Sequence, residues 1–185
     1  MESPPEDDVC SICHEWFILP CQANCSHWFC GNCILRVWHH GSALQPCKCP
    51  ICRRFITLLI PTDAAAQERQ DTEASEILES IEKYNRNFGG DPSSLIQRVR
   101  DLPFFMRRLL RELMDPRRSL PLVFRARIIF AMAMSAIYVL SPVDILPEGI
   151  LGFVGLLDDL IILLIVLLHV ATIYRSVLLY RHGGS

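Results

Sequence analysis

Cys10-Ser-Ile-Cys13, Cys25-Ser-His27-Trp-Phe-Cys30-Gly-Asn-Cys33 and Cys49-Pro-Ile-Cys52 hold seven of the nine cysteines of a 185-residue chain. Each Cys-x-x-Cys is a knuckle whose two thiolates reach one tetrahedral ion. With His27 the ligands number eight. They fill two closed sites with no position left for water, so the metal is structural. All nine cysteines lie between Cys10 and Cys52, and an odd count suits a disulfide framework poorly. The opening Met1-Glu-Ser-Pro-Pro-Glu-Asp-Asp8 is acidic and has no apolar core of a secretory signal, so the thiols are expected to stay reduced. A disulfide-bonded head is the competing reading. A head below ~50 residues rarely builds a sufficient core without metal.

Two thiols remain outside these sets. Cys47 competes with Cys49 for the last site, but only Cys49-Pro-Ile-Cys52 gives the two-residue knuckle. Cys21 and Cys47 each have two readings: a nucleophile carrying a transferred group, or a free small side chain. No base is identifiable beside either. His14, His39 and His40 read as surface residues. Asn24-Cys25-Ser26 has the form of a glycosylation sequon but falls on a ligand.

With a single His in fourth place, the ligand order over about residues 9–54 resembles a RING finger. The resemblance implies a small zinc-stabilised α+β cross-brace holding two Zn2+. One ion takes Cys10, Cys13, Cys30 and Cys33; the other takes Cys25, His27, Cys49 and Cys52. It also implies a partner, a ubiquitin-conjugating enzyme loaded with ubiquitin, and no covalent nucleophile of the chain's own. The family's contact positions fall on Ile12, Trp38, Pro50 and Arg53. Arg53 is the donor bridging both proteins. Loop packing is the alternative for Ile12, solvation for Arg53 and core packing for Trp38. Trp38 stands five residues after Cys33, where many RING fingers have their groove Trp at four, the place of Val37. Nucleic acid is excluded as a partner by charge. Residues 1–60 carry four basic and five acidic side chains, and zinc thiolates add further negative charge.

The rest of the chain divides by composition. Residues 1–8 form an acidic, disordered start. Residues 60–120 form a helical linker. In it Ile77, Leu78, Ile81 and Tyr84 recur at helical spacing, expected as an exposed amphipathic helix serving as spacer or self-association surface. Asp91 and Pro92 resemble an N-cap and first helical residue. Two short helices separated near Pro103 are expected over 95–114, with Arg98, Arg100, Arg107, Arg108 and Arg111 beside Phe104, Phe105, Leu109, Leu110 and Leu113. Such a basic amphipathic segment suits either an anionic membrane interface or packing on the head.

Overall, 51% of residues are hydrophobic and 21% charged, with mean hydropathy +0.27, which fits an ordinary soluble domain badly. The excess sits at residues 121–180. Spans at about 127–147 and 150–170 predict an all-α region ending in a transmembrane helical hairpin. The Arg cluster before the first span, with Arg175 and Arg181 after the second, places the RING and the C-terminus in the cytosol. Asp158 and Asp159 interrupt the second span. They share a proton, pair with Arg125 or Arg127, sit at an interface, or leave Leu160–Ser176 as the true membrane element.

Ser141-Pro-Val-Asp144, Pro147-Glu148, Gly155 and Asp158-Asp159 resemble the signature of a small hydrophobic domain of unknown function from bacterial membrane-associated proteins. Together with the RING, Tyr84-Asn85-Arg86 and Asp101-Leu102-Pro103, they make the chain similar to the RING finger protein 170 family, ubiquitin ligases of the endoplasmic reticulum membrane. The resemblance implies a RING-type E3 ubiquitin-protein ligase acting on lysines of membrane or membrane-associated substrates, with membrane lipid as a further partner. Two readings from other classes stand beside it: a non-catalytic zinc-dependent scaffold, and an ion- or lipid-handling membrane domain with a regulatory RING. Asp144, Asp158 and Asp159 motivate the last.

Overall fold

The computed structural model describes residues 3–41, 44–67, 71–90, 94–114, 122–140 and 153–182. They fall into two compact units, Met1–Gln97 with Ser176–Ser185, and Arg98–Arg175.

In the first unit, β1 (Pro20–Ala23) pairs antiparallel with β2 (Trp28–Cys30), Cys21 opposite Phe29. The reversal closes with the Ala23 amide donating to the His27 carbonyl at 3.0 Å and Ser26 at φ 71°. It is this turn that carries Cys25 and His27. Helix α1 (Gly31–His40) follows Cys30 directly. Its buried residues Gly31, Ile34, Leu35 and Trp38 follow the i, i+3, i+4, i+7 rule of a core-facing stripe. β3 (Leu59–Pro61) adds to the other edge of β1, giving the order β2-β1-β3 with Gln22 opposite Ile60. The apolar run Ile56–Pro61, apart from Thr57, makes this strand fully buried. The zinc-bearing sheet thus extends past residue 54.

After the short α2 (Asp63–Gln67), α3 (Thr72–Phe88) starts at Asp71, whose carboxylate accepts from the Glu73 amide at 3.3 Å. The helix is where the periodicity puts it, but its apolar stripe is not exposed. Leu78, Ile81 and Tyr84 are buried, and Ile77 packs against the same core. The stripe is covered because α1 offers one of matching period: Trp38 meets Tyr84 edge-on at 5.1 Å and Phe88 at 5.8 Å. Tyr84 donates to the Ile56 carbonyl at 2.5 Å and accepts from the Cys47 amide at 3.1 Å. Burial pushes its phenol up, keeping the proton that the first bond needs. Replacing Tyr84 by Phe strands the buried Ile56 carbonyl and the half-buried Cys47 amide. It is expected to cost about 1–3 kcal/mol, read as a lower thermal midpoint and faster hydrogen exchange at the Cys47 amide.

Over 95–114 there is one helix, α4 (Leu95–Met114), not two. Pro103 lies inside it on an exposed position, where the lost i→i−4 bond faces solvent. Both sides of the break are held by one continuous buried stripe: Asp101, Phe104, Phe105, Arg108, Leu109 and Glu112. The N-cap expected at Asp91-Pro92 lies outside the described residues.

The second unit combines most of α4 with α5 (Leu122–Leu140) and the first 23 residues of α6 (Phe153–His182). Phe105 stands edge-on to Tyr174 at 6.4 Å, with the Arg175 guanidinium 5.8 Å over its ring. Arg108 lies 3.9 Å from Glu112 one turn on. Among the described residues, Leu160–His182 is long and apolar enough to cross a bilayer, with mean hydropathy 2.3. It begins directly after Asp158-Asp159. Residues 141–152 of the expected hairpin, including the acidic turn and Asp144, lie outside the described ones, as do the side chains of Asp158 and Asp159.

Candidate metal centres and docking residues

The eight ligands gather as two sets, Cys10, Cys13, Cys30 and Cys33, and Cys25, His27, Cys49 and Cys52, within each of which the ligand atoms lie within 4.8 Å of one another. The interleaved pairing implied by the family resemblance is therefore the one the fold makes. A tetrahedral Zn–S bond of about 2.3 Å requires S···S edges of about 3.8 Å. Cys13 and Cys30 stand 3.9 Å apart. In the second set His27 presents Nδ1, 3.4 Å from Cys25 Sγ and 3.5 Å from Cys49 Sγ, close to an N–Zn–S edge.

Two segments far apart in the chain fold identically to make the knuckles. The His14 amide donates to the Cys10 carbonyl and the Arg53 amide to the Cys49 carbonyl, both at 2.8 Å. The Cys10 amide returns to Glu15 at 2.9 Å and the Cys49 amide to Arg54 at 2.8 Å. Each knuckle ends on a left-handed residue, His14 at φ 60° and Arg53 at φ 58°. The knuckle's own turn therefore fixes Arg53, at a strain of order 1 kcal/mol.

Thiol energetics fit a dication at both sites. Cys25 donates to Cys49, which holds the Cys49 thiol down at about 4 despite burial. The same shared proton and burial drive Cys25 up. Burial acts to raise Cys10, but amides of Cys30, Cys13 and Ile12 outweigh it and bring that thiol to about 7. Burial raises Cys30 to about 11, partly offset by the Ile18 amide 3.3 Å from its sulfur. Such N–H···S donors are the outer shell that orients thiolate ligands. Bound Zn2+ would supply the charge that lets these thiols ionise together, and the residues present fit it.

The two spare thiols behave differently. Cys21 is fully buried in β1, its thiol raised by burial and directed at the Leu19 carbonyl at 3.4 Å. Burial also raises Cys47, whose sulfur lies 3.3 Å from the Tyr84 hydroxyl. Among the described residues no base stands beside either thiol, which favours the small-side-chain reading.

The family's contact positions are not all alike. Ile12 is half-buried against the core, while Pro50 and Arg53 are exposed on the last knuckle. Trp38 is 5% exposed, its indole N–H without a hydrogen-bond partner. It lines a cleft of about 280 Å³ with Val37, Pro46, Lys48 and Phe55, to which Ile12, Pro50 and Arg53 do not contribute. Standing four residues after Ile34 puts Trp38 on the inner stripe of α1, a placement the helical period alone would have found. Val37 is half-buried. Tyr84 and Asn85 brace the site from α3. Tyr84 belongs to the apolar stripe read at helical spacing, and Tyr84-Asn85-Arg86 carries part of the family resemblance, but neither signal assigns these residues a bracing role.

A domain family described as a protein of unknown function (DUF1232) matches residues 128–165. The chain is 38% identical over 183 residues to the E3 ubiquitin-protein ligase RNF170 of Danio rerio, covering 96% of this chain and 68% of the relative. It is 38% identical to the protein of the same name from Xenopus laevis, over 95% and 66% respectively. The RING finger protein PSH1 of Saccharomyces cerevisiae is 32% identical over 80 residues, covering 43% of this chain and 18% of that protein. The chain thus spans about two thirds of the length of its full-length relatives. No solved structure matches it.

Proposed function

The chain belongs to the RNF170 family of RING-type E3 ubiquitin ligases, and we propose that it presents a ubiquitin-charged conjugating enzyme to lysines of membrane or membrane-associated substrates. The observation that carries this reading is the pair of zinc cradles in cross-brace order, with an exposed Arg fixed directly after the last ligand. Ile12 and Pro50 form the apolar contact on the two knuckles, and Arg53 bridges enzyme and ubiquitin through its planar donor fork. Trp38 supports this surface from inside the core. The chemistry is positioning: the thioester carbonyl is held where an acceptor amine attacks it and the conjugating enzyme's thiol leaves. No group of this chain enters a covalent bond.

The membrane reading rests on α6 and on the outer face of α4. Val99, Leu110 and Met114 are exposed there, with exposed Arg100, Arg107 and Arg111 beside them, while both acidic residues of α4 are buried. An apolar row with purely basic outward charge fits the cytosolic surface of an anionic bilayer. The head then lies in the cytosol and the spans in the endoplasmic reticulum, as the family resemblance implies. Arg107→Glu with Arg111→Glu is expected to weaken binding of a 60–120 segment to anionic liposomes at least ~10-fold, with little change on neutral ones. Equal binding of both forms would remove the interfacial role of α4.

The test of the whole reading is an autoubiquitination assay with a panel of conjugating enzymes. Lys48 and Lys83 are the only lysines, so a lysine-bearing acceptor is included. Ubiquitin transfer that needs the chain and zinc supports the ligase reading. Partner binding without transfer by any enzyme of the panel supports the scaffold instead.

A further inference from the structure

Asn85 carries a set of bonds that zinc binding does not require. It is 0% exposed on α3. Its Oδ1 accepts from the Leu59 amide at 2.8 Å, and its Nδ2 donates to the Leu59 carbonyl at 2.7 Å. The second Nδ2 hydrogen goes to the carbonyl of His182 at 3.0 Å, 97 residues away in the chain. That carbonyl belongs to the last turn of α6, where helix carbonyls lack intrahelical partners. An amide side chain has two donors and one acceptor oxygen, and all are engaged here. Asn85 is thus a C-cap supplied from another helix, tied at the same time to the edge strand β3.

The surrounding packing is built for that contact. Leu178 is 0% and Val177 3% exposed, although both lie beyond the Arg175 that ends the most apolar part of α6. A Cβ at Gly89 would run into Leu179 and the Asn85 carbonyl, so the close approach requires glycine. The closing turns of the apolar helix, Ser176 onward, therefore belong to the zinc-bearing unit.

We propose that Asn85 is a positioning residue: it clamps the zinc-bearing unit onto the end of the apolar helix, so that ubiquitin is delivered to lysines held at the membrane surface. The proposal rests on the ligase reading above. The covalent path from α3 to the end of α6 runs through α4 and α5, and the Asn85 contact closes it without a covalent bond. Holding the head to the anchor raises the effective concentration of membrane-bound lysines relative to free ones.

The test uses the full chain in liposomes with a charged conjugating enzyme. Three rates are read: discharge onto free lysine, transfer to a soluble lysine peptide, and transfer to the same peptide carrying a lipid anchor. Val177→Ala and Leu178→Ala thin the packing on the α6 side of the clamp and leave Asn85 and its Leu59 bonds in place. Asn85→Asp removes the donor and keeps the shape. For the first two variants, two zinc ions and free-lysine discharge are expected to persist, while the anchored-to-soluble ratio falls at least ~5-fold. Hydrogen exchange over the last turns of α6 should rise in all three. An unchanged ratio with zinc and discharge intact overturns the clamp. Loss of zinc in both Val177→Ala and Leu178→Ala also overturns it, because the contact would then belong to the head's own stability. Failure of the unaltered chain to discharge ubiquitin strikes at the ligase reading instead.

Discussion

Removing zinc from the intact protein with a chelator is expected to unfold the head between Cys10 and Pro61 while α6 stays helical up to Arg175. Structural zinc sites of this kind bind with an apparent ~10–16 kcal/mol, comparable with or above the ~5–15 kcal/mol that holds a whole domain folded. The sheet is small, with strands of four, three and three residues, so hydrophobic burial has little reserve to replace the metal. Amides of β1 and β2 should lose hydrogen-exchange protection, and the buried Cys21 should become open to alkylation. Cys49→Ser removes one thiolate ligand of the second site. The same unfolding is expected at its site even with zinc in excess. Protected β1 amides after complete metal loss would contradict the cross-brace account.

Arg53→Ala and Ile12→Ala are expected to lower ubiquitin discharge from the conjugating enzyme at least ~30-fold, equivalent to a central contact worth ~2 kcal/mol or more, with two zinc ions still bound. Arg53 is exposed and left-handed, so its removal leaves no buried group unpaired. Arg53→Gly should relieve the backbone strain, retain the fold and still fail to transfer. Arg53→Lys should not restore activity, because an ammonium cannot make the bidentate bridge. Trp38→Ala should behave differently. Its ring is packed on Tyr84 and Phe88, so truncation costs ~3–5 kcal/mol of stability and activity falls because the head unfolds. Full transfer by Arg53→Ala would remove the linchpin role; intact stability in Trp38→Ala would remove the core role.

The metal sites were legible because the requirement of four ligands per ion acts through short spacings within the sequence. The pairing of the knuckles was not. It depends on the β1–β2 turn bringing Cys25 and His27 to Cys49, which only the family resemblance supplied beforehand. α3 was visible from Ile77, Leu78, Ile81 and Tyr84, but an amphipathic stripe does not say what covers it. Here α1 does so with Trp38. Pro103 marks a break only by the local rule; the stripe buried on both sides of it carries α4 through as one helix. Asn85 stands in the Tyr84-Asn85-Arg86 stretch that carries the family resemblance, but its contacts are not legible there, since its partners Leu59 and His182 lie in segments that composition treats as separate.

Native mass spectrometry of the detergent-solubilised chain, with thiol counting on the same sample, tests the central claim most directly. The account predicts two zinc ions per chain, all nine cysteines reduced, and loss of both ions to be accompanied by loss of ubiquitin discharge. A chain with no bound metal, or one with its cysteines oxidised in pairs, would contradict it.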